Sequence, residues 1–480
     1  MKRYRNLLFL HTNKFNSLLF LLFSITSAAN CQEEALRQKA HDALRLLQSV
    51  NPIPVVRNTN PDAQWFPEAG FGLFMHWGIH SVAALEPSWA MMKNLPWAPD
   101  ADDTTYFDRN YYSLLWRFHP ENYDPDRWMK AAKEAGMSYA VITSKHHDGY
   151  TLWPGEYTSL GTKKYMDGRD LLKPYVDACR KYGLKVGFYF SPRDWSYPGF
   201  PVSMDFKDYG NGKRINQRTP QQNQHDYDKF FEYTAGQLSE LLTRYGKIDL
   251  LWFDAVEWPD VKEMHTEQIY AWIRKIQPGI VINDRWDYQG GKAEIGDYIT
   301  PETYIPEKAP DTWWESCLQW GSGWGYSPNP KSIKVNSWVI ENLVNARSMG
   351  GNILLNIGPA PDGTMQPEFY ERTAELAKWM AHSKKSLIGA DPLKSWKEIS
   401  NVPITRKDRE WYLHILPGKQ KEIRLKTNLK PTSAKLLQTN EKVKFNKAGN
   451  YLLFETPKKS NGLDDVIVVT WKEVPKVLIR

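Results

Sequence analysis

The sequence predicts a TIM-like (β/α)8 barrel, somewhat irregular, followed by a C-terminal antiparallel β-sandwich. Eight buried-strand patterns recur between residues 71 and 359, each ending in polar or aromatic side chains. Amphipathic helix patterns separate most of them, the alternation of a parallel barrel rather than of a doubly wound sheet. Beyond residue 388 the chain changes to short apolar runs divided by Pro, Gly, Asn and Lys clusters, about ninety residues that read as antiparallel strands.

The clearest strand lies in Ile248 to Trp258 (IDLLWFDAVEW), where an apolar run stops at Asp254. A helix pattern over Tyr227 to Tyr245 precedes it, with Gly246 at its natural stop. A helix, a glycine, a buried strand and a terminal carboxylate form one barrel unit, and barrel active sites collect residues from such strand ends. Alone, Asp254 reads more readily as a helix cap or a salt-bridged aspartate than as a catalytic group; repetition of the pattern decides. The other strands are Phe71 to Gly78, Tyr139 to Gly149, Val186 to Trp195, Ile280 to Trp286, Asp297 to Glu302, Thr312 to Cys317 and Asn352 to Pro359. Asp124-Pro125 opens a helix that stops at Gly136, another runs from Leu171 to Tyr182, and a third ends at Pro278-Gly279. No clear helix separates the sixth and seventh strands, so the barrel is expected to be irregular there. A last helix starts at Pro367. The sandwich strands are Trp411 to Leu416, Glu422 to Lys426, Ala434 to Gln438, Tyr451 to Glu455 and Asp465 to Trp471.

The N-terminus has basic residues, an apolar run from Leu18 to Phe23 and small residues before Cys31. It reads as a signal peptide over 1–30; the apolar run is far short of the roughly 20 residues of a membrane span. Cys31 stands where a lipid anchor would be attached, although Asn30 matches poorly the small residue expected before it. The exported chain is expected to be periplasmic, secreted or an outer-surface lipoprotein. Residues 31–60 form a surface helix and linker, 61–388 the barrel and 389–480 the sandwich. The formal charge of +7 falls to +3 without the four basic residues of the signal segment, which leaves no nucleic-acid-binding pattern. Of the three cysteines, Cys179 and Cys317 have only each other to pair with, and no CxxC metal motif is present.

Pooled, the strand ends supply His76, Trp77, His146, His147, Trp252, Asp254, Arg285, Glu302 and Glu315. Carboxylates, imidazoles, an arginine and tryptophans suit glycosidic-bond hydrolysis, which needs one carboxylate and one carboxylic acid. A metal is disfavoured because adjacent His146 and His147, on a regular strand, point to opposite faces.

FGLFMHWG at 71–78, SKHHDG at 144–149, LLWFD at 250–254, NDRW at 283–286, WES at 314–316 and GGNILLNIGP at 350–359 together resemble the α-L-fucosidases of glycoside hydrolase family 29. The resemblance spans about residues 60 to 385. It implies a retaining exo-glycosidase without metal or organic cofactor, acting on fucosylated oligosaccharides or glycoconjugates, and a C-terminal β-sandwich. It implies Asp254 as nucleophile and Glu302 as acid/base, with Glu315 the alternative. It also implies that His76, His146 and His147 hold the sugar hydroxyls, that Trp77, Trp89 and Trp252 wall the C6 methyl and ring face, and that Arg285 lies near the reaction centre. Ser88-Trp89 stands where the family often has Glu-Trp, so a sugar-holding carboxylate is missing or replaced by Glu86. That departure keeps an α-L-galactosidase on the same scaffold as an alternative. A non-catalytic carbohydrate-binding protein is the other.

Overall fold

The computed structural model describes residues 30–473 except 53–55, 92–107, 198–219, 255–264, 290–291, 294–295, 419, 421 and 458. The signal-peptide segment before residue 30 falls outside the described residues.

All eight expected barrel strands form: β1 (Phe71–Met75), β2 (Tyr139–Lys145), β3 (Lys185–Phe190), β4 (Leu250–Phe253), β5 (Val281–Ile282), β6 (Tyr298–Ile299), β7 (Trp313–Gln319) and β8 (Asn352–Ile357). They make one parallel sheet in the order β5-β4-β3-β2-β1-β8-β7-β6, and a parallel bridge between Asn283 and Tyr298 brings its two edges together. The period of two along each strand sorts side chains cleanly. Phe74, Tyr139, Val141, Tyr189, Leu250, Trp252, Val281, Tyr298, Cys317 and Leu354 fill the barrel interior. Their neighbours, such as Leu73, Ile142, Phe188, Leu251 and Leu355, pack outward against the helices. Gly72 has no side chain because Tyr139 occupies its space; a Cβ there would lie 2.4 Å from the phenol ring.

The surrounding helices are α1 (Pro125–Glu134), α2 (Leu172–Lys181), α3 (Pro220–Arg244), α4 (Thr266–Ile276), α5 (Asn336–Ser348) and α6 (Pro367–Ser383). The expected cap of α1 forms, with the Asp124 side chain accepting from the Arg127 amide. Among the described residues no α-helix joins β5 to β6 or β6 to β7. The irregular stretch therefore spans two connections rather than the one expected. Asp297 holds it together: its carboxylate accepts from the amides of Asn58 (2.6 Å) and Ile282 (2.8 Å) and from the Arg274 guanidinium (2.6 Å).

Residues 30–48 are helical, as expected, but this helix is not merely a surface element. Trp272 Nε1 donates to the Ala43 carbonyl at 2.7 Å, and Arg244 pairs with Glu33 at 2.8 Å, so it packs onto α3 and α4.

The C-terminal strands are β9 (Asp391–Pro392), β10 (Ile404–Lys407), β11 (Glu410–Ile415), β12 (Ile423–Lys426), β13 (Ser433–Leu436), β14 (Phe445–Ala448), β15 (Tyr451–Phe454) and β16 (Asp465–Thr470). They form antiparallel sheets in the orders β9-β10-β11-β16-β13 and β12-β15-β14. Both sheets contribute to one core, including Trp411, Leu413, Ile423, Leu425, Phe454 and Val469. β9, β10 and β14 were not expected; β14 is largely exposed and carries little apolar signal. Cys179 and Cys317 are both free, Cys179 Sγ lying 3.4 Å from Met129 Sδ.

Asp297→Ala should cost about 3–5 kcal/mol, because it leaves two buried amides and an arginine without their acceptor. Urea denaturation of the variant checks this; an unchanged midpoint would show that Asp297 does not hold the β5–β6 closure.

Candidate active site

At the C-terminal ends of the barrel strands lies a cleft of about 840 Å³ lined by His76, Trp89, His146, His147, Tyr189, Trp252, Asp254, Arg285, Glu302 and others. Eight of the ten expected site residues are therefore brought together. Trp77 and Glu315 are not.

Trp77 follows His76, so with His76 turned into the cleft the strand period sends Trp77 outward. It packs against Phe118, Tyr123 and Trp128, and its Nε1 donates to the Ala360 carbonyl at 2.9 Å. It does not wall the cleft. Glu315 faces the barrel interior, but β7 continues to Gln319, and Glu315 pairs in register with Asn352, the first residue of β8. The cleft end of that ladder is Gln319 beside Asn356. Four residues of strand set Glu315 about 13 Å below it. There it accepts from Tyr139 and from Trp252 Nε1 at 3.1 Å. Burial raises its pKa to about 7.

Arg285 organises the carboxylates. Its Nη1 lies 3.4 Å from Asp254 and its Nη2 2.7 Å from Glu302, with the guanidinium 4.7 Å above the Trp252 ring. Its Nε donates to Thr300 Oγ1 (2.8 Å), which in turn donates to Asp284 (2.9 Å), so a third carboxylate fixes the fork through a hydroxyl. Burial raises Asp284 to about 6. Tyr189 OH donates to Asp254 Oδ2 at 2.8 Å. Asp254 is the more enclosed acid, its side chain 20% exposed against 41% for Glu302.

The imidazoles are kept neutral. Asn356 Nδ2 donates to the Trp324 carbonyl at 2.8 Å, so its Oδ1 receives the His76 Nδ1 proton at 2.7 Å and leaves Nε2 as an acceptor. Burial lowers His76 to about 4 and drives His146 and His147 well below the usual histidine value. His146 and His147 do not diverge, contrary to expectation. A register shift between Thr143 and Lys145 breaks the strand period, and both rings enter the cleft with centroids 4.1 Å apart. One ligand atom each from His146, His147 and Asp254 lie within 4.8 Å of one another, so opposite-facing rings are no argument against an ion here. Each ring is held through Nδ1 by a serine: His146 by Ser88 and His147 by Ser191, both at 2.6 Å.

Ser88 also accepts from the Asp148 amide at 2.9 Å, so the residue in the family's usual glutamate position is committed to His146 and its loop. Glu86 lines the cleft and accepts from the Trp324 amide. Lys145 forms a buried pair with Asp194 at 3.2 Å, which ties the ends of β2 and β3 together. Gly149 must be glycine: its φ is +80°, and a Cβ would lie 2.3 Å from Asp194 Oδ1. Tyr189, Asn356, Ser88, Ser191, Asp284 and Thr300 escaped the sequence reading as site groups. Inward parity with Asp254 and His76 on neighbouring strands is the signal that finds Tyr189 and Asn356.

Two acids of unequal exposure on one guanidinium, among neutral hydrogen-bonding rings at a barrel mouth, define the class as barrel glycoside hydrolases. Residues 49–385 match the family model described as alpha-L-fucosidase. The tissue alpha-L-fucosidase of Bos taurus is 32% identical over 375 residues, covering 75% of this chain and 76% of the relative. That of Homo sapiens is 29% identical over 75% of this chain and 76% of its own length. Alpha-L-fucosidase isoenzyme 1 from Paenibacillus thiaminolyticus superposes with a TM-score of 0.73 at 30% identity, over 86% of this chain and 99% of that one. A Bacteroides thetaiotaomicron GH29 alpha-L-fucosidase, solved as a trapped covalent intermediate, gives 0.73 at 26% identity over 88% and 99%. The chain belongs to the α-L-fucosidase family.

Glu315→Gln should separate from wild type with pH. Its folded pKa of about 7 lies above the ordinary 4.5, so the unfolded chain loses that proton first as pH rises. The wild type therefore loses this contribution to stability between pH 4.5 and 7, by a few kcal/mol at most, and the variant does not. Melting temperatures should match near pH 4.5 and favour the variant at pH 8; a gap that narrows with rising pH would refute the assignment.

Proposed function

We propose that the protein hydrolyses terminal α-L-fucosidic bonds with retention of configuration, through a covalent fucosyl-enzyme. The observation that carries this reading is the shared guanidinium: Arg285 contacts both Asp254 and Glu302, the enclosed and the exposed acid of one cleft. The carboxylate of Asp254 attacks the anomeric carbon while Glu302 gives its proton to the departing glycosidic oxygen. The ionised Glu302 then takes a proton from water, whose oxygen attacks the same carbon and releases Asp254. The two-carboxylate route needs neither metal nor organic cofactor. The covalent intermediate trapped in the Bacteroides thetaiotaomicron relative supports it by analogy.

In this reading His76, His146 and His147 hold the fucose hydroxyls as neutral groups, and Trp89 and Trp252 supply the apolar wall. Glu315, below the floor, is structural. The mouth position of Glu302 suits an acid that must reach a leaving group outside the sugar pocket. The Ser88 hydroxyl, bonded to His146 and the Asp148 amide, is not spare for an added sugar hydroxyl, which favours fucose over L-galactose. The N-terminal signal pattern supports export, with Cys31 as the candidate anchor point.

Asp254→Gly should lower kcat by at least about a thousandfold with folding intact, and azide should partly restore it. Glu302→Gln should cripple a fucosyl disaccharide far more than an activated aryl fucoside, since a good leaving group departs unprotonated. If Glu315→Gln shows that leaving-group dependence and Glu302→Gln does not, the acid assignment reverses. No turnover of an aryl α-L-fucoside by wild type would favour a carbohydrate-binding protein instead.

L-Galactosides should react more slowly than L-fucosides, by no more than about a hundredfold, because an apolar pocket rejects an added hydroxyl only weakly. Comparison of kcat/KM for the two aryl glycosides checks this; faster cleavage of the L-galactoside would reverse the preference.

A further inference from the structure

The charge of the chain is unevenly divided. Residues 31–388 carry 39 Lys and Arg against 45 Asp and Glu, a net of −6, whereas residues 389–480 carry 19 against 10, a net of +9. The +3 of the chain beyond residue 30 is thus a near-cancellation between an acidic barrel and a basic sandwich. Two of the sandwich acids, Asp464 and Asp465, are buried, which leaves its surface more basic still.

The basic residues concentrate in residues 423–454, the stretch from β12 to β15. It holds one arginine and six lysines, with Glu441 its only acid. Ile423 and Leu425 face the sandwich core, so strand parity sends Arg424 and Lys426 outward, and both are exposed. The antiparallel bridge between Lys435 and Lys442 sets two exposed lysines directly opposite each other, a pairing that destabilises strands unless an anion answers it.

At one end of the sheet β12-β15-β14 this charge flanks apolar surface. Leu429 is 47% exposed and Tyr451 38%. Lys426 stands in register with Tyr451, the Thr427 amide donates to the Asn450 carbonyl at 2.8 Å, and the Leu429 amide donates to Thr427 Oγ1 at 3.1 Å. Lys430 follows Leu429 and is exposed as well. Aliphatic and aromatic tips among lysines suit a bilayer surface, where the tips enter the headgroup boundary and the ammonium groups meet lipid charge. A soluble polyanion would engage the lysines but give Leu429 nothing to bury in. The preponderance of lysine also fits a diffuse anionic surface, because recognition of a single carboxylate or phosphate favours the arginine fork.

We infer that this end of the sandwich docks on an anionic lipid surface, with Leu429 and Tyr451 in the headgroup region and Lys426 and Lys430 on the lipid charge. Such docking is independent of the proposed hydrolysis, since none of these residues lines the cleft.

The test is co-sedimentation with vesicles of phosphatidylcholine alone or mixed with phosphatidylglycerol. The chain from residue 31 keeps both domains, and Cys31→Ser ensures that no acyl group contributes. It should bind the mixed vesicles and not the neutral ones, and the binding should weaken as salt rises. Lys426→Gln and Lys430→Gln should each weaken the partition about fivefold, and Leu429→Ser about tenfold, all with the parent's melting temperature. Leu429→Ser should leave retention on immobilised dextran sulfate unchanged. Equal partition onto neutral and mixed vesicles would overturn the docking surface, as would lysine variants that bind like the parent. Undiminished vesicle binding by Leu429→Ser would assign the face to a soluble polyanion and overturn the lipid assignment.

Discussion

Both acids of the cleft rest on one guanidinium, Arg285 Nη1 lying 3.4 Å from Asp254 and Nη2 2.7 Å from Glu302. The guanidinium is itself held in place, by Thr300 and, through it, Asp284, and by the face of Trp252. Trp252 is fixed in turn by Glu315. The acid that competed with Glu302 for a catalytic part thus holds the ring on which the arginine rests.

That arrangement comes from the least regular part of the barrel. Arg285 follows β5 and Glu302 follows β6, each strand only two residues long, in connections without an α-helix among the described residues. Longer strands would carry a stiffer ladder there; what substitutes is side-chain bonding. Asp297 clamps β5 to the linker before the barrel, and the Asn283–Tyr298 bridge completes the ring. The short strands bring backbone loops, with their carbonyls and hydroxyls, close to the chemistry.

How far the sequence was legible follows from which signals survive folding. All eight barrel strands could be read, even the two-residue β5 and β6, because apolar runs next to polar strand ends mark buried parallel strands regardless of their length. Trp77 went wrong through neglect of parity: beside an inward His76 it had to face the helices. Glu315 went wrong because β7 runs on past Cys317, which turns an apparent strand end into a strand middle. His146 and His147 do line the cleft, but their opposite facing, expected of a regular strand, is undone by a bulge that no local residue pattern announces. Tyr189 was hidden in an apolar run, where its ring reads as core; only its hydroxyl on Asp254 reveals the second role. Ser88 was visible as a departure from the family pattern, but its partners come from a distant strand end, and the sequence cannot supply that distance.

Burial keeps the histidines of the cleft neutral. Near Arg285, a protonated imidazole would add a second cation and compete for Asp254, whose Oδ2 lies 3.8 Å from His147 Nε2. Burial prevents this, and the Nδ1 partners Asn356, Ser88 and Ser191 fix the ring orientations without adding charge. A neutral ring still offers one donor or acceptor to a hydroxyl, which is what sugar recognition requires. In the proposed reaction the arginine and the two acids stand where bonds would be made and broken, and the neutral rings around them recognise hydroxyls without adding charge.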